Sequence, residues 1–314
     1  MIDLSMSEQG KRVNSPEPKR NDLPQEAEIQ QSDLENLPAI DAHTSIIFPC
    51  LNEEKTVGQC VRDALKWLGN KKGEVIIVDN NSTDRSAVVA RKNGARVVHQ
   101  NRRGYGAALY TGIQAARGEY LILADADHSY DVQHLTPFLF ALKKGADLVI
   151  GNRFAGGIEK GAMPWLHQYL GNPVLTTLAN IFFGTNLGDY HCGLRAVRKT
   201  AIKQLDLQCV GMEFASEMIV KASLHNLSIV EVPVTYRVDG RQRRSHLRTF
   251  RDGWRHLRFL MLFAPNWVFF FPAVMMISLS FILLLWMLFE SFQLGKVSFG
   301  VHTMLVLGAL MVAG

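Results

Sequence analysis

The chain has 314 residues, with 34 Lys and Arg against 29 Asp and Glu, a net charge of +5, and 47% hydrophobic residues. Its mean hydropathy of +0.03 is high for a purely soluble protein, and the excess is uneven: the 31 residues between Arg258 and Glu290 carry no acid or base, nor do the 18 from Val297 to Gly314. Length and composition exclude a simple cytosolic globule, a disordered chain and a disulfide-stapled secreted module.

Residues 1–40 contain eight acids and four bases with few large apolar groups. A disordered tail is expected over residues 1–42. It has no apolar core of the length a secretory signal needs. Cys50, Cys60, Cys192 and Cys209 form no CxxC pair and no zinc-ligand spacing, so buried thiols in a reducing compartment are expected.

From Thr44 the pattern becomes regular. TSIIFPC (44–50) reads as a strand, followed by a helix to about Leu68. EVIIVD (74–79), ARVVH (95–99), EYLILAD (119–125) and DLVIG (147–151) repeat the strand pattern, with helices between them. Near-continuous Ile, Val and Leu alternating with helices predict an α/β domain over 43–240, doubly wound around a mostly parallel sheet.

In such sheets the ligand lies beyond the carboxyl ends of the strands. Three polar clusters fall there: Asn52-Glu53-Glu54, Asp79-Asn80-Asn81 and Asp125-Ala126-Asp127. Two carboxylates one residue apart at a strand end can face one hard cation, Mg2+ or Mn2+, which would bridge a nucleotide's phosphates. Gly104-Tyr105-Gly106 is no phosphate loop, because Leu109 stands where G-x-G-x-x-G needs its third glycine.

FPCLNEE, VDNNSTD, the Asp125-Ala126-Asp127 triplet, Gly151-Asn152-Arg153, DYHCGLRA (189–196) and EFASEM (213–218) together resemble family 2 glycosyltransferases of the GT-A fold. The similarity is greatest to the polyprenyl-phosphate glycosyltransferases and covers roughly residues 43–262. It implies that Pro49, Leu51, Asn52 and Glu53 border the nucleotide, with Asp79 and Asn80 beside them. It implies Asp125 and Asp127 as the catalytic metal and diphosphate ligands, and Arg153 as a phosphate contact on the acceptor side. Arg243, Arg244, Ser245 and Arg248 would cover the diphosphate and the acceptor. Two departures stand out: Ser129 replaces the usual Gln after the triplet, and His246 replaces the Lys after Ser245.

Residues 266–289, about 36 Å as a helix at ~1.5 Å per residue, are long enough to span a bilayer. The last 18 residues are expected to begin a second span that the chain end truncates. Residues 237–258 hold eight arginines against Asp239 and Asp252, a net of +6. Beside a membrane span this favours anionic lipid headgroups over nucleic acid and puts the catalytic domain in the cytoplasm. Phe250, Trp254, Leu257, Leu260 and Met261 recur at helical spacing, so residues 241–264 are expected to form an amphipathic helix on the membrane.

The resulting expectation is a multi-pass membrane enzyme. It would move a hexose from a UDP- or GDP-sugar to a polyprenyl phosphate with inversion, aided by Mg2+ or Mn2+. Its partners would be the sugar donor, the acceptor lipid and anionic lipids, with self-association left open. The alternatives are a processive polysaccharide synthase, which would carry Gln-x-x-Arg-Trp, and a sugar nucleotidyltransferase, which would carry a basic glycine-rich loop at Leu51-Asn52-Glu53. A third is a non-catalytic membrane adaptor.

Overall fold

A computed structural model describes residues 43–240, 249–289, 293–294, 297–298 and 300–314. The expected tail, residues 1–42, lies outside the described residues, and so do Arg243, Arg244, Ser245 and Arg248.

Seven strands form one sheet: β1 (Thr44–Cys50), β2 (Gly73–Asp79), β3 (Arg96–His99), β4 (Tyr120–Leu123), β5 (Leu148–Asn152), β6 (Arg195–Arg198) and β7 (Ile229–Pro233). Their order is β3-β2-β1-β4-β6-β5-β7. Helices α1 (Val57–Leu68), α2 (Ser86–Lys92), α3 (Tyr105–Ala115) and α4 (Thr136–Lys143) connect the first five strands. The apolar runs explain the layering: Ile46, Ile47, Phe48, Ile76, Ile77, Leu121 and Ile122 are all fully buried between helices on both faces. Each such side chain contributes about 1.5–3 kcal/mol.

Strand β1 pairs in parallel with β2 and β4, and the register sets Cys50 beside Asp79 and Ile47 beside Leu123. Pro49 is tolerated inside this central strand for a local reason. The Ile47 carbonyl accepts Ala124 N–H, so the missing N–H of Pro49, two residues on, faces the side where β4 has ended.

The sheet departs from an all-parallel one at β6, which runs antiparallel to both β4 and β5. Its sequence, RAVR, hides the strand, because arginines replace the apolar run expected of a buried strand. Both arginines turn their charge inward onto backbone. Arg195, fully buried, donates to the carbonyls of Cys192, Tyr190 and Ala215, and Arg198 to those of Ala146 and Leu142.

Beyond β5 come a π-type turn His167–Gly171, α5 (Asn172–Phe183), α6 (Lys199–Gln204) and α7 (Phe214–Leu224). Helix α8 (Thr249–Leu262) packs against α5 and α7. It does so with Asp252, His256, Phe259 and Leu260, all buried, while Trp254 and Leu262 face outward. The expected membrane-surface helix therefore divides its apolar residues: one stripe docks on the α/β domain, and only the remainder is available to lipid.

Asn266–Met287 is 22 residues long with a mean hydropathy of 2.6 and only 6% of it buried. Among the described residues it is the one helix long and apolar enough to cross a membrane. It comprises a π-type turn, Asn266–Phe270, and most of α9 (Phe271–Phe289). The hairpin strands β8 (Gln293–Leu294) and β9 (Val297–Ser298) lead to α10 (Val301–Ala313). With 13 residues, α10 is about 20 Å long at ~1.5 Å per residue, short of a ~30 Å hydrocarbon core. One candidate span is thus present among the described residues, and the expected second span, begun at α10, is not shown by them.

Candidate active site

The parallel register of β2, β1 and β4 brings the three polar clusters to one edge of the sheet, as their positions at strand ends predict. Their side chains divide into two kinds. Asn52, at φ +58, accepts Thr83 N–H at 2.6 Å through its side-chain oxygen. Asn80 is buried; it donates to the carbonyls of Gln100 and Arg102 and accepts Gly104 N–H at 2.7 Å. Both asparagines therefore tie loops together around the strand ends. Glu53 is buried over the start of α1, where its carbonyl accepts the amides of Thr56 and Val57. Asp79 accepts Ser82 N–H at 3.2 Å through one oxygen and sits 3.1 Å from His99 Nδ1 through the other. Leu51 and Pro49 are half-buried on the same edge.

Asp125 and Asp127 leave the end of β4 and are held from different directions. The hydroxyl of the half-buried Tyr105 donates to Asp125 Oδ1 at 3.0 Å. Burial and the neighbouring Asp125 push its phenol well above the ordinary range, so it remains a donor. On the other side of Asp125 lies Gly193 of the DYHCG segment, where a Cβ would come within 2.4 Å of Asp125 Oδ2. A side chain there would push the Asp125 carboxylate aside. Asp127 is buried, and its Oδ1 accepts the amide and hydroxyl of Ser129 at 3.0 and 2.6 Å. Ser129 thus supports Asp127 in the place where the resemblance expects another ligand.

Gly104 and Gly106 serve packing. A Cβ on Gly104 would lie 2.1 Å from the Val210 carbonyl, and one on Gly106 2.3 Å from that of Cys209. The amides of Gly106 and Ala107 donate to the carbonyls of Gly211 and Val210. The N-terminus of α3 is therefore capped by protein backbone.

No group of three or more His, Cys, Asp or Glu that could hold a metal occurs among the described residues. The donor set at the strand edge is two carboxylates. That set fits a hard cation such as Mg2+, which keeps several waters and takes substrate phosphates as its other ligands. The four thiols suit no such role. Burial pushes the Cys50, Cys192 and Cys209 thiols up to about 12, and that of Cys60 higher still, so all are neutral.

Arg153 is placed differently from the resemblance. It is buried, and its Nε and Nη2 donate to Asp189 Oδ2 and Oδ1 at 2.6 and 2.8 Å. The expected phosphate contact is thus met by a carboxylate in a bidentate pair. Asp189 is fully buried and also accepts His191 N–H, while Gly188 and Asp189 donate their amides to Glu231. This network fixes the DYHCG segment beside Asp125. Position 189 carries no sequence signal for its partner 36 residues away.

The chain beyond β7 returns to the same turn. Arg237 N–H donates to the Ser129 carbonyl and Gly240 N–H to that of Asp127, both at 2.9 Å. The arginine-rich segment is therefore joined to the site at Gly240. Arg237 itself pairs with Asp131 at 2.7 Å, and Arg251 and Arg255 lie 3.4 and 4.0 Å from the buried Asp252.

A cavity of about 650 Å3 lies between the His167–Gly171 turn, α5 and α8. Leu166, Leu170, Val174, Leu175 and Leu257 make it apolar, and His191 lines its inner side. His191 belongs to the same DYHCG segment as Gly193, which abuts Asp125. The cavity's outer flank is also apolar: Trp165, Tyr169 and Trp254 are 70%, 62% and 59% exposed. Phe182, farther along α5, stacks on Trp267 with ring centroids 6.0 Å apart, joining α5 to the candidate membrane span. A signal for this surface exists in the chain, because the 28 residues from Gly161 to Gly188 contain no Asp, Glu, Lys or Arg.

A family model for glycosyl transferase family 2 matches residues 45–206, more than half of the chain. The chain belongs to glycosyltransferase family 2. This family 2 chain is 38% identical over 273 residues to the low-salt glycan biosynthesis hexosyltransferase Agl6 of Haloferax volcanii. The match covers 86% of the present chain and spans 65% of the length of Agl6. A dolichyl-phosphate hexose transferase of the same organism is 30% identical, over 62% of this chain and 82% of the relative. Polyprenol monophosphomannose synthase of Mycolicibacterium smegmatis is also 30% identical, over 62% and 77%. Among solved structures, glucosyl-3-phosphoglycerate synthase of Mycobacterium tuberculosis has a TM-score of 0.56 at 20% identity. That likeness covers 71% of this chain and 81% of the other, and it shows the fold. The mycobacterial enzyme has been crystallised with Mn2+, UDP and glucosyl-3-phosphoglycerate.

Proposed function

We propose that this protein transfers a hexose from a UDP- or GDP-linked sugar to a polyprenyl phosphate at the cytoplasmic face of a membrane. One observation carries this reading: the apolar cavity is lined by His191 of the DYHCG segment, whose Gly193 abuts Asp125, and by helix α5, whose Phe182 contacts the helix long and apolar enough to cross a membrane. A soluble acceptor needs no such apolar surroundings; a lipid phosphate does. The names of the Haloferax and Mycolicibacterium relatives support the same acceptor class.

The acceptor phosphate is an anion at pH 7 and needs no strong base to attack C1 of the sugar. As its oxygen bonds to C1, the bond from C1 to the nucleoside diphosphate breaks on the opposite face, which inverts the anomeric centre. Mg2+ or Mn2+ bound between donor and protein would neutralise the departing diphosphate. Asp125 and Asp127 would hold that cation, oriented by Tyr105 and Ser129. Asp79 and Glu53 would border the nucleotide. The Arg153–Asp189 pair would position the DYHCG segment between donor and acceptor, a contribution of geometry. Arg243, Arg244 and Arg248, following Gly240, would supply positive charge to the diphosphate and to anionic lipid.

The cavity provides the test. Leu170 lines it and is 53% exposed, so Leu170→Asn should fold normally. It is expected to raise the KM for a long-chain polyprenyl phosphate severalfold, and to leave unchanged the KM for the nucleotide sugar and for a short water-soluble prenyl phosphate. Equal long-chain KM values for the variant and the wild type would remove the cavity from the acceptor path.

A further inference from the structure

Among the described non-glycine residues, five have positive φ: Asn52, Asn81, His128, Asp206 and Asn226. Four are Asn or Asp, whose short polar side chains suit that conformation, and His128 is the exception at φ +65. It immediately follows Asp127. Such a backbone persists where the surroundings over-determine it. Here the surroundings are specific: His128 Nε2 donates to Asp63 Oδ2 at 3.1 Å. Asp63 is buried on α1, and its other oxygen accepts Gln59 Nε2 at 2.8 Å and Gln133 Nε2 at 2.9 Å. The acceptor is therefore locked in place before His128 reaches it.

The left-handed residue is also the middle of the turn that aims Asp127. Asp127 Oδ1 reaches across it to the Ser129 amide, while the Asp127 carbonyl accepts Gly240 N–H. Rotation of His128 to negative φ would swing Ser129 N–H away and redirect the carboxylate. We propose that His128 and Asp63 are positioning residues, whose contact fixes the turn presenting Asp127 and so raises the affinity of the strand edge for a divalent cation. The proposal rests on Asp125 and Asp127 holding that cation. It adds that their alignment is set from helix α1.

His128→Gly separates backbone from side chain. Glycine adopts positive φ without strain, so the variant should fold and melt as the wild type does, yet it lacks the ring that reaches Asp63. The full-length protein in detergent would be titrated with Mn2+ in the presence of UDP, and again with GDP, following free Mn2+ by electron paramagnetic resonance. Loss of an outer-shell partner commonly weakens metal affinity 10–100-fold, and an increase in the Mn2+ Kd of about tenfold is expected here. The metal-free nucleotide Kd should stay constant. Asp63→Asn keeps the shape but weakens the acceptor, and should cost less than His128→Gly. A purely structural role would move melting temperature and nucleotide binding together. If His128→Gly binds Mn2+ as tightly as the wild type, the positioning pair is overturned while the cation site stands. If the wild type shows no Mn2+ binding that Asp127→Asn removes, the cation reading falls and this proposal falls with it.

Discussion

Asp127→Asn should abolish sugar transfer and leave the fold intact. An asparagine oxygen can still accept the Ser129 amide and hydroxyl that now bond Asp127 Oδ1, so the turn is kept. What disappears is one of the two negative charges proposed to hold the cation that would neutralise the leaving diphosphate. Loss of several kcal/mol of transition-state stabilisation corresponds to a rate drop of about a thousandfold or more. Initial rates with saturating donor measure it, with circular dichroism as the control for folding. Excess EDTA should silence the wild type to the same extent, and undiminished turnover in EDTA would contradict the metal role.

Asp189→Ala should be among the most destabilising single substitutions in the domain. It leaves the Arg153 guanidinium, 8% exposed at the side chain, without the carboxylate that accepts both its Nε and its Nη2. Removing one partner of a buried pair costs about 3–5 kcal/mol, because the other charge stays buried and uncompensated. In a domain of this size that lowers the melting temperature by on the order of 10 °C. The double variant Arg153→Met, Asp189→Leu should recover much of this loss, since no lone charge remains. A melting temperature for Asp189→Ala within 2 °C of the wild type, on the scale of a ~1 kcal/mol change, would contradict the pair's structural weight.

Much of the domain is legible in the amino-acid sequence. Strands β1 to β5 are short apolar runs, and a parallel sheet places their carboxyl ends together, so Asn52, Asp79 and Asp125 have to converge. Less visible is what each polar side chain does there. An asparagine at a strand end looks the same in sequence whether it binds ligand or loops, and Asn52 and Asn80 hold loops. Arg153 resembles a phosphate ligand because its acidic partner lies 36 residues on. Tyr105 supports Asp125 across 20 residues and a change of element. Strand β6 is concealed by arginines that satisfy backbone carbonyls. The uncharged stretch 161–188 is readable but lacks a continuous apolar run, being interrupted by Asn, Thr, Gln and Gly. Its meaning emerges only when α5 and α8 flank one cavity.

The most direct test joins the carboxylate edge to the lipid acceptor in one assay. Purified protein in anionic liposomes would receive polyprenyl phosphate, Mn2+ and, in separate reactions, radiolabelled UDP- and GDP-hexoses. With the accepted donor, label should move into the organic phase as an acid-labile glycosyl phospholipid, with nucleoside diphosphate released in equal amount. Both products should vanish in Asp127→Asn. Nucleotide sugar turned over without any lipid-extractable product, or label passing to a water-soluble acceptor instead, would contradict the account.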